Sequence, residues 1–256
     1  MDKMWQGLAE SNCACLSTTY TCDMGGIIEA GQALLSQASR RLEVSALNMA
    51  NITSPGYKAR VPIQGGLVNF ASLLSENNQW SIADNVSPGQ AKATANPFDL
   101  AIMGEGFFVL RSPTGLVYSR NGEFRRDADG RLVNSAGLPL QGSEGDIVLK
   151  SDAPEILRDG TILENGAPVA RIDILMVEHG GALQRRGDNF TSDAFMKRTD
   201  LAPVEQGMVE SSNVSMAQEV TSLMQSQRSA ETGQTLVRVY DDLMGRTLTA
   251  FGQSGS

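Results

Sequence analysis

Apolar residues recur every seven positions near both ends of the 256-residue chain. In residues 27–52 one such line is apolar, and a second line three positions further on consists mostly of small residues. The first line is Ile28, Leu35, Leu42 and Met49, and the second is Gly31, Ala38, Ser45 and Ile52. This spacing is typical of the a and d positions of a coiled coil. We therefore predict a helix that stops near Ser54-Pro55-Gly56, because the residue before a proline avoids the helical region.

The same period returns in the last forty or so residues, where a second helix is predicted. Its apolar line is Met216, Leu223, Ala230, Val237, Met244 and Phe251, whereas the companion line from Val220 to Leu248 is half polar. Ser211, Ser212 or Asn213 can cap its N-terminus, with Glu219 in the early turns. A seam this narrow is too weak to hold a lone helix in water. Each terminal helix is therefore expected to need a partner.

Between the helices the pattern changes from helical periodicity to short alternating segments and turns. Residues 61–95 are polar and irregular, which predicts an extended connector with no more than a short strand. From Asp99 onward, turn signals recur about every ten residues, and Val169–Glu178 is the best single strand. The turn signals are Gly104-Glu105-Gly106, Ser112-Pro113-Thr114-Gly115, Asn121-Gly122, Asp129-Gly130, Asp159-Gly160 and Asn165-Gly166. This spacing favours a compact all-β domain.

The predicted fold class is α+β, with terminal helices that form a coiled-coil assembly domain around a central all-β domain. The predicted parts follow the changes in pattern along the sequence. They are an N-terminal extension, predicted to be disordered, over 1–23, an assembly helix over 24–60, a connector over 61–95, a β domain over 96–205 and a second assembly helix over 206–256.

Charge and hydropathy exclude some classes of partner. The net charge of −8 disfavours nucleic acid, which selects a basic surface, and equally disfavours an anionic membrane. No apolar run approaches the ~20 residues of a membrane-spanning helix. Lys3 is the only base near the start and no apolar segment follows it, so no cleaved signal peptide is predicted. The chain is expected either to stay in the cytosol or to be exported by another route.

Candidate chemistry is sparse. Cys13, Cys15 and Cys22 lack the paired spacing and the neighbouring histidine of a zinc site, and the only histidine is His179. If translation starts at Met24, the chain contains no cysteine. Asp127 and Asp129 lack the remaining ligands of a calcium loop. We predict no metal, cofactor or catalytic site, although a Ser–Lys or dual-carboxylate enzyme remains an alternative.

Three blocks of sequence nevertheless resemble one family, the bacterial flagellar rod and hook proteins. The first runs from Ser45 through Asn51 to Gly56-Tyr57-Lys58. The second runs from Asn96-Pro97-Phe98-Asp99 through Gly104-Glu105-Gly106 to Tyr118-Ser119-Arg120-Asn121-Gly122, and the third from Glu205-Gln206-Gly207 through Glu210 to Asn213 and Arg228. They occur in the family's order, and the resemblance spans residues 24–251. Ser45 and Pro55 depart from the usual residues without upsetting the match.

Within that family, residues 169–188 look most like the proximal rod component, with the distal rod or hook-type protein as the runner-up. The resemblance implies a structural subunit of the basal-body rod, exported by the flagellar type III apparatus, that assembles helically and transmits torque to the hook. Its implied partners are copies of itself, other rod proteins and the export apparatus, with no nucleic acid or small-molecule substrate. A secreted adhesin-like β module is a further alternative.

The resemblance also implies roles for particular residues in assembly. Asn51 and Gly56 would end the first helix and turn the chain outward, and Asn213 would cap the returning helix. The helical contacts would come from the two heptad lines. The expected assembly residues are Ile28, Leu35, Leu42, Met49, Asn51, Gly56, Asn213, Leu223, Ala230 and Val237.

Overall fold

The computed structural model describes residues 19–64, 80–177, 183–192, 196–199 and 202–253. Two long helices flank a β-rich middle, so the α+β class is confirmed. Helix α1 spans Thr19–Ala50 and helix α2 spans Met216–Gln253. α1 begins inside the segment 1–23 that was predicted to be a disordered extension, and residues 1–18 of that extension lie outside the described residues.

Nineteen strands lie between the helices, in the described part of the chain. They are β1 (Arg60–Gln64), β2 (Trp80–Asp84), β3 (Ala91–Ala93), β4 (Leu100–Ile102), β5 (Phe107–Ser112), β6 (Gly115–Ser119), β7 (Arg125–Arg126), β8 (Leu132–Val133), β9 (Gln141–Gly142), β10 (Gly145–Asp146), β11 (Glu155–Ile156), β12 (Thr161–Glu164), β13 (Ala167–Arg171), β14 (Ile174–Val177), β15 (Leu183–Arg186), β16 (Asn189–Ser192), β17 (Met196–Arg198), β18 (Val204–Gln206) and β19 (Met208–Glu210).

The chain divides into two compact units. The helical unit comprises the described parts of residues 1–46, 62–82 and 220–256, and the β unit comprises residues 47–61 and 83–219. In the helical unit α1 and α2 approach closely at two glycines. A Cβ atom added to Gly31 would lie 3.1 Å from Cγ2 of Val237, and one added to Gly233 would lie 3.0 Å from Cγ of Leu35. Within the described residues, neither helix is long and apolar enough to cross a membrane.

The β unit is built on a six-stranded antiparallel sheet in the order β15-β16-β6-β5-β14-β17. Successive side chains of β5 point to opposite faces. Phe108 and Leu110 therefore enter the larger core, while Phe107 and Val109 join a smaller cluster with Tyr118 and Phe190. β11, β12 and β13 form a second antiparallel sheet, and its Ile162 is fully buried in the larger core.

Several predicted turns have the backbone geometry that their sequences favour. Asn165 and Gly166 have φ angles of 52° and 80° and join β12 to β13, as a two-residue hairpin turn requires. Gly104 and Gly106 both have positive φ between β4 and β5, where the sequence predicted a break. Asn121-Gly122 is different, because no hairpin forms there and the amide of Leu100 donates to the carbonyl of Gly122.

Two predictions about the strands were wrong. The connector 61–95 contains most of β1 and the whole of β2 and β3, and β3 pairs with β19 far along the chain. The segment Val169–Glu178 is two strands in different sheets, β13 and β14. They are separated at Ile172, whose amide donates to the carbonyl of Gly160 and which bridges to Gly142. The alternation of side chains in the sequence therefore continues from β13 into β14, although the two strands pair with different neighbours.

Candidate assembly site

One buried carboxylate, that of Glu210, joins the three blocks of sequence. Its Oε1 atom accepts hydrogen bonds from Lys58 Nζ at 2.5 Å and from the amide of Gly89 at 2.7 Å. Its Oε2 atom accepts from Arg120 Nη1 at 3.0 Å. The side chains of Lys58, Arg120 and Glu210 are 0%, 1% and 3% exposed. We call these three residues the charge clamp.

The two cations of the charge clamp are also held by backbone carbonyls. Lys58 Nζ donates to the carbonyl of Ser87 at 2.7 Å. Arg120 donates to the carbonyls of Ile102 and Gly104. The clamp therefore ties residue 58, which follows α1, and residue 210, which precedes α2, to the turn between β4 and β5.

Burial dominates the electrostatics of the charge clamp. It lowers the pKa of Lys58, and the hydrogen bond and charge of Glu210 oppose that change. Burial likewise lowers the pKa of Arg120 against the attraction of Glu210. A buried ion pair adds little net stability, because desolvation offsets the attraction, but removal of one partner leaves an uncompensated charge. The clamp therefore fixes geometry more than it adds stability.

Asn48, in the last turn of α1, is 1% exposed and makes four side-chain hydrogen bonds. Its Nδ2 atom donates to the carbonyl of Arg60 at 2.9 Å and to Glu219 Oε1 at 2.8 Å. Its Oδ1 atom accepts from the amide of Arg60 at 2.9 Å and from the hydroxyl of Tyr57 at 3.3 Å. Both hydrogen-bonding groups of the amide are thus satisfied. The residue joins the end of α1 to the first turn of α2.

Asn213 lies where a capping residue was predicted, but its side chain binds elsewhere. α2 begins at Met216, and the carbonyl of Ser215 accepts the amide of Glu219 at 3.0 Å. Asn213 Oδ1 instead accepts the amide of Ala59 at 2.7 Å, and Nδ2 donates to the carbonyls of Asn85 and Ser87. The predicted capping role was therefore wrong. Asn213 fastens the chain before α2 to the segment that follows α1.

Arg185, in the edge strand β15, also binds the segment that follows α1. Its guanidinium lies between the rings of Tyr57 and Phe190, at 4.8 and 4.9 Å from the ring centroids. It forms an ion pair with Asp84 at 2.6 Å and donates to the carbonyl of Lys58 at 2.5 Å. Stacking on two rings together with a directed ion pair uses the planar geometry specific to arginine.

Gly56 and Asn51 lie in the turns between α1 and β1. Gly56 has a φ of 67°, and its amide donates to the carbonyl of Glu210 at 2.7 Å. A Cβ atom there would lie 2.3 Å from the carbonyl carbon of Arg120, so only glycine fits. Asn51 donates from Nδ2 to the carbonyl of Leu47, which satisfies one carbonyl at the end of α1. Both residues lie where the chain leaves the helix.

The two apolar heptad lines are not the most deeply buried positions of the terminal helices. Ile28, Leu35, Leu42 and Met49 on α1, and Leu223, Ala230 and Val237 on α2, are partly buried. Apart from Val44 and Asn48, the buried positions described on the two helices carry small residues. They are Ala30, Gly31, Ala38 and Ser45 on α1 and Ser226 and Gly233 on α2, which we call the small-residue seam. Sequence analysis found part of this seam on α1 but missed Ser226 and Gly233.

The described residues hold no group of three His, Cys, Asp or Glu side chains that could bind a metal ion. At the calcium-like sequence, Arg131 forms ion pairs with both Asp127 and Asp129 and so occupies the position a cation would need. Cys13, Cys15 and His179 lie outside the described residues. The contacts in the described chain thus have a structural character, since buried side chains bind one another and the backbone.

Comparison with known proteins agrees with this architecture. The family model "Flagellar hook protein FlgE/F/G D1 domain" matches residues 101–167, within the β unit. The model "Flagellar basal body rod FlgEFG protein C-terminal" matches residues 205–250, which include Glu210, Asn213 and most of α2. Both models describe flagellar rod and hook proteins.

Individual relatives extend the match along the chain. The flagellar basal-body rod protein FlgF of Caulobacter vibrioides is 30% identical over 206 residues, covering 75% of this chain and 84% of that protein. FlgF of Mesorhizobium japonicum is 29% identical over 215 residues, covering 78% and 86%. The flagellar hook protein FlgE of Brucella abortus is 35% identical over 130 residues, covering only 47% and 32%.

The chain therefore belongs to the flagellar rod and hook protein family. Within this family it is most like the basal-body rod proteins named FlgF, which it matches over most of both chains.

Proposed function

We propose that the protein is a structural subunit of the flagellar basal-body rod, in the position of the proximal rod component. It assembles helically through its terminal helices with copies of itself and with other rod proteins, and it transmits torque from the motor to the hook. It has no enzymatic role, and it reaches the rod through the flagellar type III export apparatus.

The main support is that the regions of family resemblance meet at the charge clamp. Lys58 follows α1, Arg120 follows β6 and Glu210 ends β19, yet all three are buried against one another. Such a clamp holds the chain that leaves one terminal helix and the chain that enters the other against the same β unit.

The terminal helices supply a second argument. α2 leaves several large apolar side chains more than half exposed, namely Met216, Met224, Val239 and Leu243. Its contact with α1 depends on small residues, which bury little apolar area. Neighbouring subunits would cover this exposed apolar surface. Head-to-tail contacts that do not close into a ring produce a helical filament.

A hook-type protein is less favoured. The hook relative matches less than half of this chain and about a third of its own length, whereas the rod relatives match most of both chains. The extent of the match on both chains thus favours a rod subunit.

The proposal is tested by deletion of the gene, with swimming and electron microscopy of basal bodies as the measurements. The deletion strain is complemented with the full chain and, separately, with a chain that starts at Met24. We expect the deletion to stop the structure before the distal rod and hook, and both versions to restore it. If the deletion strain builds complete flagella, the proposed function is wrong.

A further inference from the structure

The small-residue seam does not by itself determine how α1 and α2 are aligned along their lengths. Its buried residues repeat at intervals of seven, with Gly31, Ala38 and Ser45 on α1 and Ser226 and Gly233 on α2. A seam of small residues at a seven-residue repeat presents nearly the same surface after a shift of one repeat. In such helix pairs a polar side chain commonly selects one register, at some expense in stability.

Two polar contacts join the C-terminal end of α1 to the N-terminal end of α2, with the same residue spacing on both helices. Asn48 Nδ2 donates to Glu219 Oε1 at 2.8 Å. Three residues earlier on α1 and three residues later on α2, Ser45 Oγ donates to Ser222 Oγ at 3.1 Å. This is the relation expected of antiparallel helices in a fixed register. Further along, Leu35 lies against Gly233 and Gly31 against Val237, in the same direction.

Asn48 is the member of this series whose position is itself fixed. Its amide pairs with both the N–H and the C=O of Arg60, in the way that a neighbouring strand would. The side chain therefore cannot follow Glu219 if α2 shifts. It offers donors to Arg60 and Glu219 together with an acceptor for Arg60 and Tyr57, a combination that only an amide provides.

We propose that Asn48 is the positioning residue that sets the register of the two terminal helices, through its bond to Glu219 and its anchorage on Arg60. The apolar heptad lines supply contact area, and Asn48 selects which turn of α2 meets which turn of α1. The inference deepens the proposed function, because the register of the helix pair determines the surface offered to the next subunit.

Substitution can exchange the donor and the acceptor of the hydrogen bond between residues 48 and 219. Asn48→Asp keeps the size of the side chain but places a carboxylate against the carboxylate of Glu219. Glu219→Gln alone retains an oxygen that accepts from Asn48. In the double variant Asn48→Asp/Glu219→Gln, the new amide donates to the new carboxylate, which restores the bond. Each variant is produced as the full chain in the deletion strain.

We expect Asn48→Asp to abolish or strongly reduce swimming, Glu219→Gln to swim like the wild type, and the double variant to recover most of the loss. Loss of a hydrogen bond to a charged acceptor changes an equilibrium constant about tenfold or more. The contact with Arg60 is altered equally in Asn48→Asp and in the double variant, so a role for Asn48 that rests on Arg60 alone predicts no recovery. Absence of recovery, or normal swimming by Asn48→Asp, overturns the proposal.

A cysteine crosslink reads the register directly, in whole cells and in a background in which Cys13, Cys15 and Cys22 are replaced by serine. Ser45→Cys with Ser222→Cys reports the observed register, and Ser45→Cys with Ser229→Cys reports a shift of one seven-residue repeat. Asn48→Asp should lower the first crosslink several-fold and raise the second, and Glu219→Gln should reverse both changes. Unchanged yields contradict the proposal.

The two proposals fail in different ways. If the deletion strain swims without any complementing gene, the proposed function is wrong, whereas the crosslinks still report the register. If the wild-type chain restores swimming but the first crosslink is no stronger than the second, the register assigned to Asn48 is wrong.

Discussion

Glu210 illustrates how a single side chain can organise distant parts of this sequence. It lies 152 residues from Lys58 and 90 residues from Arg120, yet it accepts hydrogen bonds from both. Its own backbone carbonyl accepts the amide of Gly56, so the same residue also fixes the turn after α1. Two cations share this one carboxylate, and its loss would leave both without their counter-ion.

Glu210→Gln should therefore lower the free energy of unfolding of the β unit by about 3–5 kcal/mol, the loss typical when one partner of a buried ion pair is removed. Denaturation of the full chain by urea, followed by circular dichroism, measures the change. Glu205→Gln is the matched control, because Glu205 pairs with Arg158, whose side chain is 79% exposed. Such a surface pair contributes less than about 1 kcal/mol. Equal losses for the two variants would contradict the role of the charge clamp.

Lys58 makes the free energy of unfolding of the β unit depend on pH in the alkaline range. Burial lowers its pKa below 10.5, so in the window between the lowered value and 10.5 the unfolded chain binds more protons than the folded chain. The contribution of Lys58 to the free energy of unfolding therefore rises as pH rises through this window. The difference in unfolding free energy between the wild type and Lys58→Met should increase with pH up to 10.5.

The same comparison removes an opposing effect of the tyrosines. Burial raises the pKa of Tyr57 and of Tyr118 above 10.0, so the folded chain retains those protons and both residues reduce stability at high pH. Lys58→Met retains both tyrosines, and their effect cancels in the difference. A difference that stays constant or falls with pH would show that Lys58 is not the buried ammonium described above.

At the scale of the elements, the sequence predicted the helices and turns that depend on local residue spacing. It missed the contacts that depend on residues far away in the chain. The seven-residue repeats located both helices, and Asn165-Gly166 located a hairpin. The α2 side of the small-residue seam was missed because Ser226 and Gly233 are not apolar, so no hydrophobic period includes them. Small residues are buried there because they let the two helices approach closely. Their burial can be recognised only when the position of the partner helix is known.

The charge clamp escaped sequence analysis for a related reason. Lys58, Arg120 and Glu210 each lie inside one of the three quoted blocks, and their opposite charges were visible. Charged residues are usually solvated, and no local spacing connects three positions so far apart. The splitting of Val169–Glu178 into β13 and β14 has the same origin, since strand alternation does not indicate which neighbour each half will pair with.

Gly233 provides a test of the helix pair as an element. A side chain there would meet Cγ of Leu35 at 3.0 Å and the carbonyl oxygen of Gly31 at 3.2 Å, so Gly233→Leu should separate the helices. We expect a loss of about 1–3 kcal/mol in the stability of the helical unit, as overpacking usually produces. The change is measured by thermal melting of the helical circular dichroism signal.

Gly245→Leu is the control in the same helix, because nothing lies within 4 Å of a Cβ atom added at Gly245. Replacement of an exposed helical glycine should instead stabilise α2 by up to about 1 kcal/mol. The two substitutions are thus expected to have opposite signs. A gain of stability in Gly233→Leu would contradict the close approach of α1 and α2.

At the scale of the whole molecule, the two compact units have different kinds of stabilisation. The β unit has a large apolar core and a network of buried polar contacts, and it contains the match to the D1 domain model. The helical unit depends on a narrow seam and leaves apolar residues of α2 exposed. We infer that the β unit is stable by itself and that the helices provide the assembly contacts.

The most direct test of this account places a charge in the helical interface without disturbing the β unit. Leu42 and Leu223 are partly buried and belong to the helical unit, whereas Ser39 and Gln225 are exposed on the same helices. The measurement is swimming of the deletion strain carrying Leu42→Asp or Leu223→Asp, beside Ser39→Asp and Gln225→Asp as controls. We expect the two leucine variants to lose swimming, with urea unfolding of their β unit unchanged, while both controls swim. Normal swimming by either leucine variant would contradict assembly through the paired terminal helices.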